Sequence, residues 1–239
     1  SRLTKLGLPI VDGDAMGRAF PELQMVSFTL GGIKATPMAM IDDKGNGATF
    51  DTISNQWTEK LARALTIQMG GSAMVSLYPV TAKECKKYLI KNSLSLIHYI
   101  GCVVKEHSFN AYQVLAKELK GKHLFQARVR DVERTAGEGF TRGVVKLEGI
   151  GDFAGRNAKL DFQNEFLIAM EGDKVLATTP DLICLFDANT GEPVTTEVMK
   201  YGLSVNVLGL PCDPIWRSKE AIDLVGPKYF KYDIKYQPL

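Results

Sequence analysis

The sequence has no apolar run approaching the roughly 18 residues that a membrane-spanning helix needs, and no hydrophobic leader stretch near Ser1. It has no charge excess of either sign: 29 basic against 27 acidic side chains leaves +2, too little to suggest nucleic-acid binding. Cysteine is sparse. Cys85, Cys102, Cys184 and Cys212 contain no CxxC pair, which excludes a zinc ribbon or a dithiol redox motif and reads as four reduced thiols of a cytoplasmic protein. Histidine is sparser still. His98, His107 and His123 form no HxH or HExxH, so no imidazole ligand set is present. There is no GxSxG elbow, no Walker A loop and no 20–50-residue repeat. The stretch Gly149-Ile150-Gly151-Asp152-Phe153-Ala154 fits only a loose dinucleotide fingerprint. No helical pattern follows it, so it reads as a turn between strands.

What remains is an ordinary globular composition, 45% hydrophobic over 239 residues, enough for one large domain or two small ones. Alternation over Gln24–Leu30 predicts a half-buried strand, Ile33–Ile41 a second, and Ser72–Val80 a buried one. Trp57, Leu61, Leu65 and Met69 recur every four residues behind Ser54, predicting an amphipathic helix over 54–69. Thr81 and Glu84 form a capping-box signature for a helix over 82–91. A longer helical stretch follows from Leu94 to Leu119, broken near His107–Asn110; within it His98 reads as a packed core residue. From residue 122 onward short strands alternate with turns, at Glu138-Gly139, Glu171-Gly172-Asp173 and Asp187–Gly191, as in a small β-sandwich or barrel. The expected fold is α+β. Residues 1–78 form α/β structure, 81–120 a helical bridge, and 122–239 a mostly β region, with a boundary at 78/79.

Three polar clusters could carry chemistry. Asp12, Asp14, Arg18 and Glu22 crowd one loop. In extended backbone Asp12 and Asp14 point the same way, close enough to raise one pKa or to hold a hard divalent cation, Mg²⁺ or Mn²⁺ over zinc. Arg18 could clamp a planar imide edge. The alternative is a solvated turn whose aspartates cap backbone amides. Gln163, Asn164 and Glu165 interrupt an apolar β run, either satisfying a loop or lining a pocket. Asp181 follows Pro180 at the head of an apolar strand, as a turn residue or a further site carboxylate.

The run Gly7-Leu8-Pro9-Ile10-Val11-Asp12-Gly13-Asp14-Ala15-Met16-Gly17-Arg18-Ala19-Phe20-Pro21-Glu22-Leu23-Gln24-Met25 closely resembles the signature of the S-methyl thiohydantoin desulfurase-like family. Phe162-Gln163-Asn164-Glu165, Pro180-Asp181-Leu182-Ile183, Tyr201-Gly202-Leu203, Val225-Gly226-Pro227 and Phe230-Lys231-Tyr232 extend the resemblance along the chain. Members of that family carry a further segment ahead of the Gly-Leu-Pro motif. The resemblance therefore implies that residues 1–78 are the back half of an N-terminal α/β domain, and that this chain, which lacks an initiator Met, is a trimmed, processed or partial product. It also implies hydrolysis of a cyclic amide: water attacks the sulfur-bearing carbon of an S-methyl thiohydantoin, releasing methanethiol. On that expectation Asp12, Asp14 and Glu22 activate water or bind the cation, and Arg18 orients the ring. Gln163, Asn164, Glu165 and Asp181 contribute from the β region. The other function class is a non-catalytic subunit of a hydantoinase- or oxoprolinase-like complex; a small-molecule binder without turnover is a third. The expected partners are a cyclic amide substrate, a missing N-terminal half or a hydantoinase-like chain, and further copies in a homo-oligomer. The aromatic tail (Tyr229, Phe230, Tyr232, Tyr236) is expected to close its own β region.

Overall fold

The computed structural model describes Gly7, residues 9–137 and residues 140–239. Leu6 and Leu8 of the expected lead-in and the Glu138-Gly139 turn lie outside the described residues.

The first part of the chain builds a small α/β layer. Strands β1 (Gly13–Asp14), β2 (Met38–Ile41), β3 (Gly47–Phe50) and β4 (Met74–Ser76) are short, and β2 sits centrally in an antiparallel β3-β2-β4 sheet. Helix α2 (Asn55–Gln68) packs on it through Ala62, with Met69 just past its end, against Met38 and Met40; of the expected four-residue series Leu65 and Met69 join this core, while Trp57 and Leu61 face out. Ser54 accepts a hydrogen bond from Trp57 N, the expected N-cap. The opposite face of α2 leaves Trp57 47% exposed.

Two expected strands are corrected. Gln24–Leu30 is not a strand: Ser27–Leu30 forms the short helix α1, and Ser27 N bonds to Ala15 O at 2.7 Å. Gln24, Met25, Val26, Ser27 and Phe28 are all buried, so the alternation there never separated a wet face from a dry one. Within Ser72–Val80 only β4 is strand, and it is exposed, an edge of its sheet.

Helix α3 (Ala82–Tyr88) opens with the full Thr81–Glu84 capping box. After β5 (Ile90–Lys91), which pairs with β1, come α4 (Ser93–His107) and α5 (Ala111–Glu118), separated by a 3₁₀ turn over Ser108–Asn110. His98 lies exposed on α4 instead of in a core, its Nδ1 3.9 Å from Cys102 Sγ.

The rest is one antiparallel sheet of eight strands. They are β6 (Lys122–Gly137), β7 (Phe140–Gly149), β8 (Asn157–Gln163), β9 (Glu165–Glu171), β10 (Lys174–Thr178), β11 (Leu182–Asp187), β12 (Pro193–Val194) and β13 (Ser204–Leu210). Their order is β10-β9-β8-β7-β6-β13-β11-β12. The sheet curls on itself. Val129, Val145, Leu160, Ala169, Leu185 and Val207, from six of its strands, meet in one core. Helices α4 and α5 cover the outer face of β11 and β13 through Val103, Leu115, Phe186 and Leu208. Trp216 and helix α6 (Lys219–Val225) cover β9 through Leu167 and Ile168. The Gly149–Ala154 stretch is the tight 3₁₀ turn between β7 and β8. Among the described residues no helix is long and apolar enough to cross a membrane. All four cysteines are free.

Candidate active site

The loop over residues 12–22 threads over the seam where β9 approaches β11. Its anchor is Phe20, which packs edge-on to Trp216 with ring centroids 5.0 Å apart. Trp216 Nε1 in turn donates to Met16 O at 2.8 Å. Arg18 enters the seam. Its Nη1 donates to Asp181 O at 2.7 Å and Pro180 O at 3.3 Å, its Nη2 to Phe166 O at 3.2 Å, and its Nε to Ala19 O at 3.0 Å. The guanidinium fork is therefore largely committed to carbonyls of the two strand ends. It acts first as a rivet and presents its remaining face and its charge to the space beside it.

The three loop carboxylates do not converge. Asp12 turns to α4: Oδ1 accepts from Leu94 N at 3.0 Å and Ser95 N at 3.1 Å, and Oδ2 from Ser95 Oγ at 2.5 Å. Asn92, at the helix N-cap, offers no side-chain cap, so Asp12 caps α4 from 80 residues upstream in sequence order. The Ser95 hydroxyl, then the backbone amides, hold the Asp12 carboxyl below the usual aspartate range. Asp14 Oδ1 accepts from Met16 N at 2.5 Å and Gly17 N at 2.6 Å, a local Asx turn. Glu22 Oε2 accepts from Tyr229 OH at 2.6 Å and Gln24 Nε2 at 2.5 Å. A shared water-activating or cation-binding set of Asp12, Asp14 and Glu22 is therefore not assembled. Among the described residues no three His, Cys, Asp or Glu side chains are grouped to hold a metal ion.

The second cluster divides. Asn164 is the hairpin residue between β8 and β9, at φ +57°. Its Oδ1 accepts from Thr141 N at 3.0 Å and its carbonyl accepts from Thr196 Oγ1. An asparagine tolerates that left-handed backbone, which explains its place there. The hairpin aims Glu165 into a cavity of about 450 Å³, walled also by Arg18, Asn164, Cys184, Thr195 and Glu197 and roofed by Ile100 and Val104 of α4. Glu165 Oε2 is buried and has no hydrogen-bond partner among the described residues. Burial pushes the Glu165 carboxyl above the usual glutamate range, the Arg18 charge counters this, and Glu197 adds to the rise. Burial pushes the Cys184 thiol up to about 11. Gln163 is buried but lines neither this cavity nor the larger one beside it.

Asp181 is fully buried and points away from both cavities. Its Oδ1 accepts from Cys212 N at 2.8 Å, and its Oδ2 from Leu239 N at 3.0 Å and Tyr236 OH at 3.1 Å. It fastens the aromatic tail to the head of β11, while Phe230 is buried against Trp216 and its neighbours. Of the residues singled out in the sequence, the structure thus brings Arg18, Asn164 and Glu165 to one cavity. Asp12, Asp14, Glu22, Gln163 and Asp181 serve elsewhere. Cys184, Thr195 and Glu197 carried no motif. They arrive through the β11–β12 pairing, Leu185 opposite Val194, which spacing alone does not reveal.

Fold and site together define an α+β protein with a small, mostly apolar cleft, carrying Arg18, Glu165 and Glu197, at the seam of a curled antiparallel sheet. A protein from Chromobacterium violaceum, solved by X-ray crystallography, shares this fold. The match has a TM-score of 0.80 at 21% identity and covers 99% of this chain and 68% of that one. A search of curated proteins found no match. The S-Me-THD-like N-terminal domain model matches residues 3–52 and the S-Me-THD-like C-terminal domain model residues 53–239; the chain belongs to the S-Me-THD-like family. The family's division at 52/53 falls ahead of the 78/79 boundary expected from the change in pattern.

Proposed function

We propose that this protein is a hydrolase of hydantoin-type rings, releasing methanethiol from an S-methyl thiohydantoin or acting on a related cyclic amide, with the reaction in the Arg18–Glu165 cleft. The observation that carries the reading is Glu165: a desolvated carboxyl with an unpartnered buried oxygen, facing a ring-sized cavity beside a guanidinium. A carboxylate raised by burial is a better base at neutral pH than a solvated one. Ionised Glu165 takes a proton from water as the oxygen bonds to the sulfur-bearing ring carbon. The C=N electron pair moves to the ring nitrogen, which is protonated from solvent. The C=O then forms as the C–S bond breaks, the carbinol proton is lost to solvent, and Glu165 returns its proton to the departing sulfur. Water and S-methyl thiohydantoin become hydantoin and methanethiol. Arg18 ties the end of β9 to the head of β11, and its charge favours the ionised form of Glu165.

The test is to incubate the purified chain with S-methyl thiohydantoin, follow methanethiol with a thiol-reactive dye and hydantoin by chromatography, and repeat with Glu165→Gln. Equal amounts of both products from the wild type and a loss of about 100-fold or more in the variant are expected. Product formation no faster in the wild type than in Glu165→Gln overturns the assignment.

One observation favours a second reading, a non-catalytic subunit of a hydantoinase- or oxoprolinase-like assembly. Trp57, Leu61 and Ile67 on α2 and Met74 and Val75 on β4 stand exposed, and such apolar surface suits a protein neighbour. Absence of turnover, with a stable complex formed on adding a hydantoinase-type chain, decides for it.

A further inference from the structure

Next to the cleft lies a larger cavity of about 960 Å³, and the two share Arg18, Ala19, Ile100 and Leu182 in their walls. A five-membered ring has no use for that volume, which is at the upper end of what a small-molecule site encloses. We infer, on the basis of the hydrolase reading, that this second cavity receives an uncharged apolar substituent of the ring substrate. A ring seated against Arg18 projects that substituent past Ile100 and Leu182.

The walls state the chemistry. Phe28, Leu77, Ile90, Leu96 and Ile97 give aliphatic and aromatic surface from four separate parts of the chain. The polar wall groups are mostly occupied. Tyr78 OH is 2.9 Å from Thr29 Oγ1, Asp14 is bound to its own turn, and Asp213 Oδ1 accepts from Ile215 N at 2.9 Å. Charges of both signs occur, Asp14 and Asp213 against Arg18 and Lys91, so the cavity offers no net field to a charged substituent. The exception is Ser93. It is 4% exposed, lines the cavity, and its Oγ has no partner among the described residues. That oxygen is buried away from the cavity surface, so the wall that a substituent meets at Ser93 stays apolar. An isobutyl or benzyl group, as found on a ring built from an apolar amino acid, fits this description, and a carboxyalkyl group does not.

The experiment separates binding from turnover. Calorimetric titration uses hydantoins carrying hydrogen, carboxyethyl, isobutyl or benzyl on the same ring carbon. The matching S-methyl thiohydantoins are assayed for methanethiol. The isobutyl and benzyl hydantoins are expected to bind at least about tenfold tighter than the unsubstituted ring, with carboxyethyl no tighter than hydrogen. In Ile97→Lys and Leu96→Lys, both on the exposed side of α4, the benzyl-to-hydrogen ratio of affinities is expected to fall toward one. A flat series, tightest binding of the carboxyethyl ring, or no binding of any ring overturns the inference. A flat series with methanethiol still released leaves the hydrolase reading standing. The expected series with no methanethiol from any substrate keeps the pocket and removes the hydrolase reading.

Discussion

The Nη1 of Arg18 meets the carbonyl oxygen of Asp181 at 2.7 Å, joining residues 163 positions apart. This contact, with those to Pro180 and Phe166, closes the seam of the curled sheet from outside. Arg18→Met leaves these carbonyls without their donor. A loss of about 3 kcal/mol in chemical denaturation is expected, with Arg18→Lys intermediate because an ammonium cannot span both strand ends. An Arg18→Met protein as stable as the wild type removes the rivet role.

Asp12 acts on a helix instead of a substrate. Asp12→Ala is expected to lower the melting temperature and reduce protection of the first-turn amides of α4 in hydrogen exchange, and Asp12→Asn to do so less. Because its folded-state carboxyl lies below the usual 3.8, its contribution is present above that value and is lost as pH falls through the lower folded value. Retained turnover per folded molecule in Asp12→Asn separates this role from water activation.

Glu165 has the opposite sign. Its folded-state carboxyl is raised, so the folded state favours the protonated form and stability falls as pH rises from the usual 4.5 through the folded value. Glu165→Gln is therefore expected to be at least as stable as the wild type at neutral pH while losing turnover. In the wild type kcat/KM is expected to fall as pH drops below the raised value, since the base must be ionised. Denaturation curves and a pH–rate profile check both.

Cys184 stands in the cleft with its thiol pushed up to about 11, so it is neutral at physiological pH. Mass-spectrometric mapping of iodoacetamide labelling is expected to find Cys184 among the slowest of the four thiols to react. Cys184→Ser is expected to retain methanethiol release, and its loss would make the thiol a nucleophile.

Asp181→Ala strips the acceptor from Cys212 N, Tyr236 OH and Leu239 N at once, within the interior. A cost of about 3 kcal/mol is expected, with proteolysis beginning in the tail. A trypsin time course followed by intact mass reads it directly.

The helices were largely legible because their signals are local. Ser54 marked the start of α2, although its four-residue series named only part of the buried face, since Trp57 and Leu61 stand exposed; Thr81 with Glu84 set α3. Gln24–Phe28 misled because burial on every side removes the contrast on which alternation depends, and the Ala15 carbonyl fixes Ser27 from outside the segment. In the site, Arg18 and Glu165 were visible as polar residues in unusual company. That Asp14 would cap its own turn was the alternative already legible in the loop, because its partners Met16 N and Gly17 N are local; that Asp12 and Glu22 would turn to Ser95 and Tyr229 was not, because those partners are brought in by tertiary folding. Glu197 and Cys184 had no signal at all apart from strand pairing.

The bond from Trp216 Nε1 to Met16 O has a spectroscopic consequence. The protein has two tryptophans, one sealed against the loop that carries Arg18 and one, Trp57, at the surface of the first layer. Emission from the sealed indole is blue-shifted, and it reddens as soon as the loop lifts from the seam. With Trp57→Phe as the single background change, the molecule becomes its own reporter of whether ligand in the cleft tightens the loop or releases it.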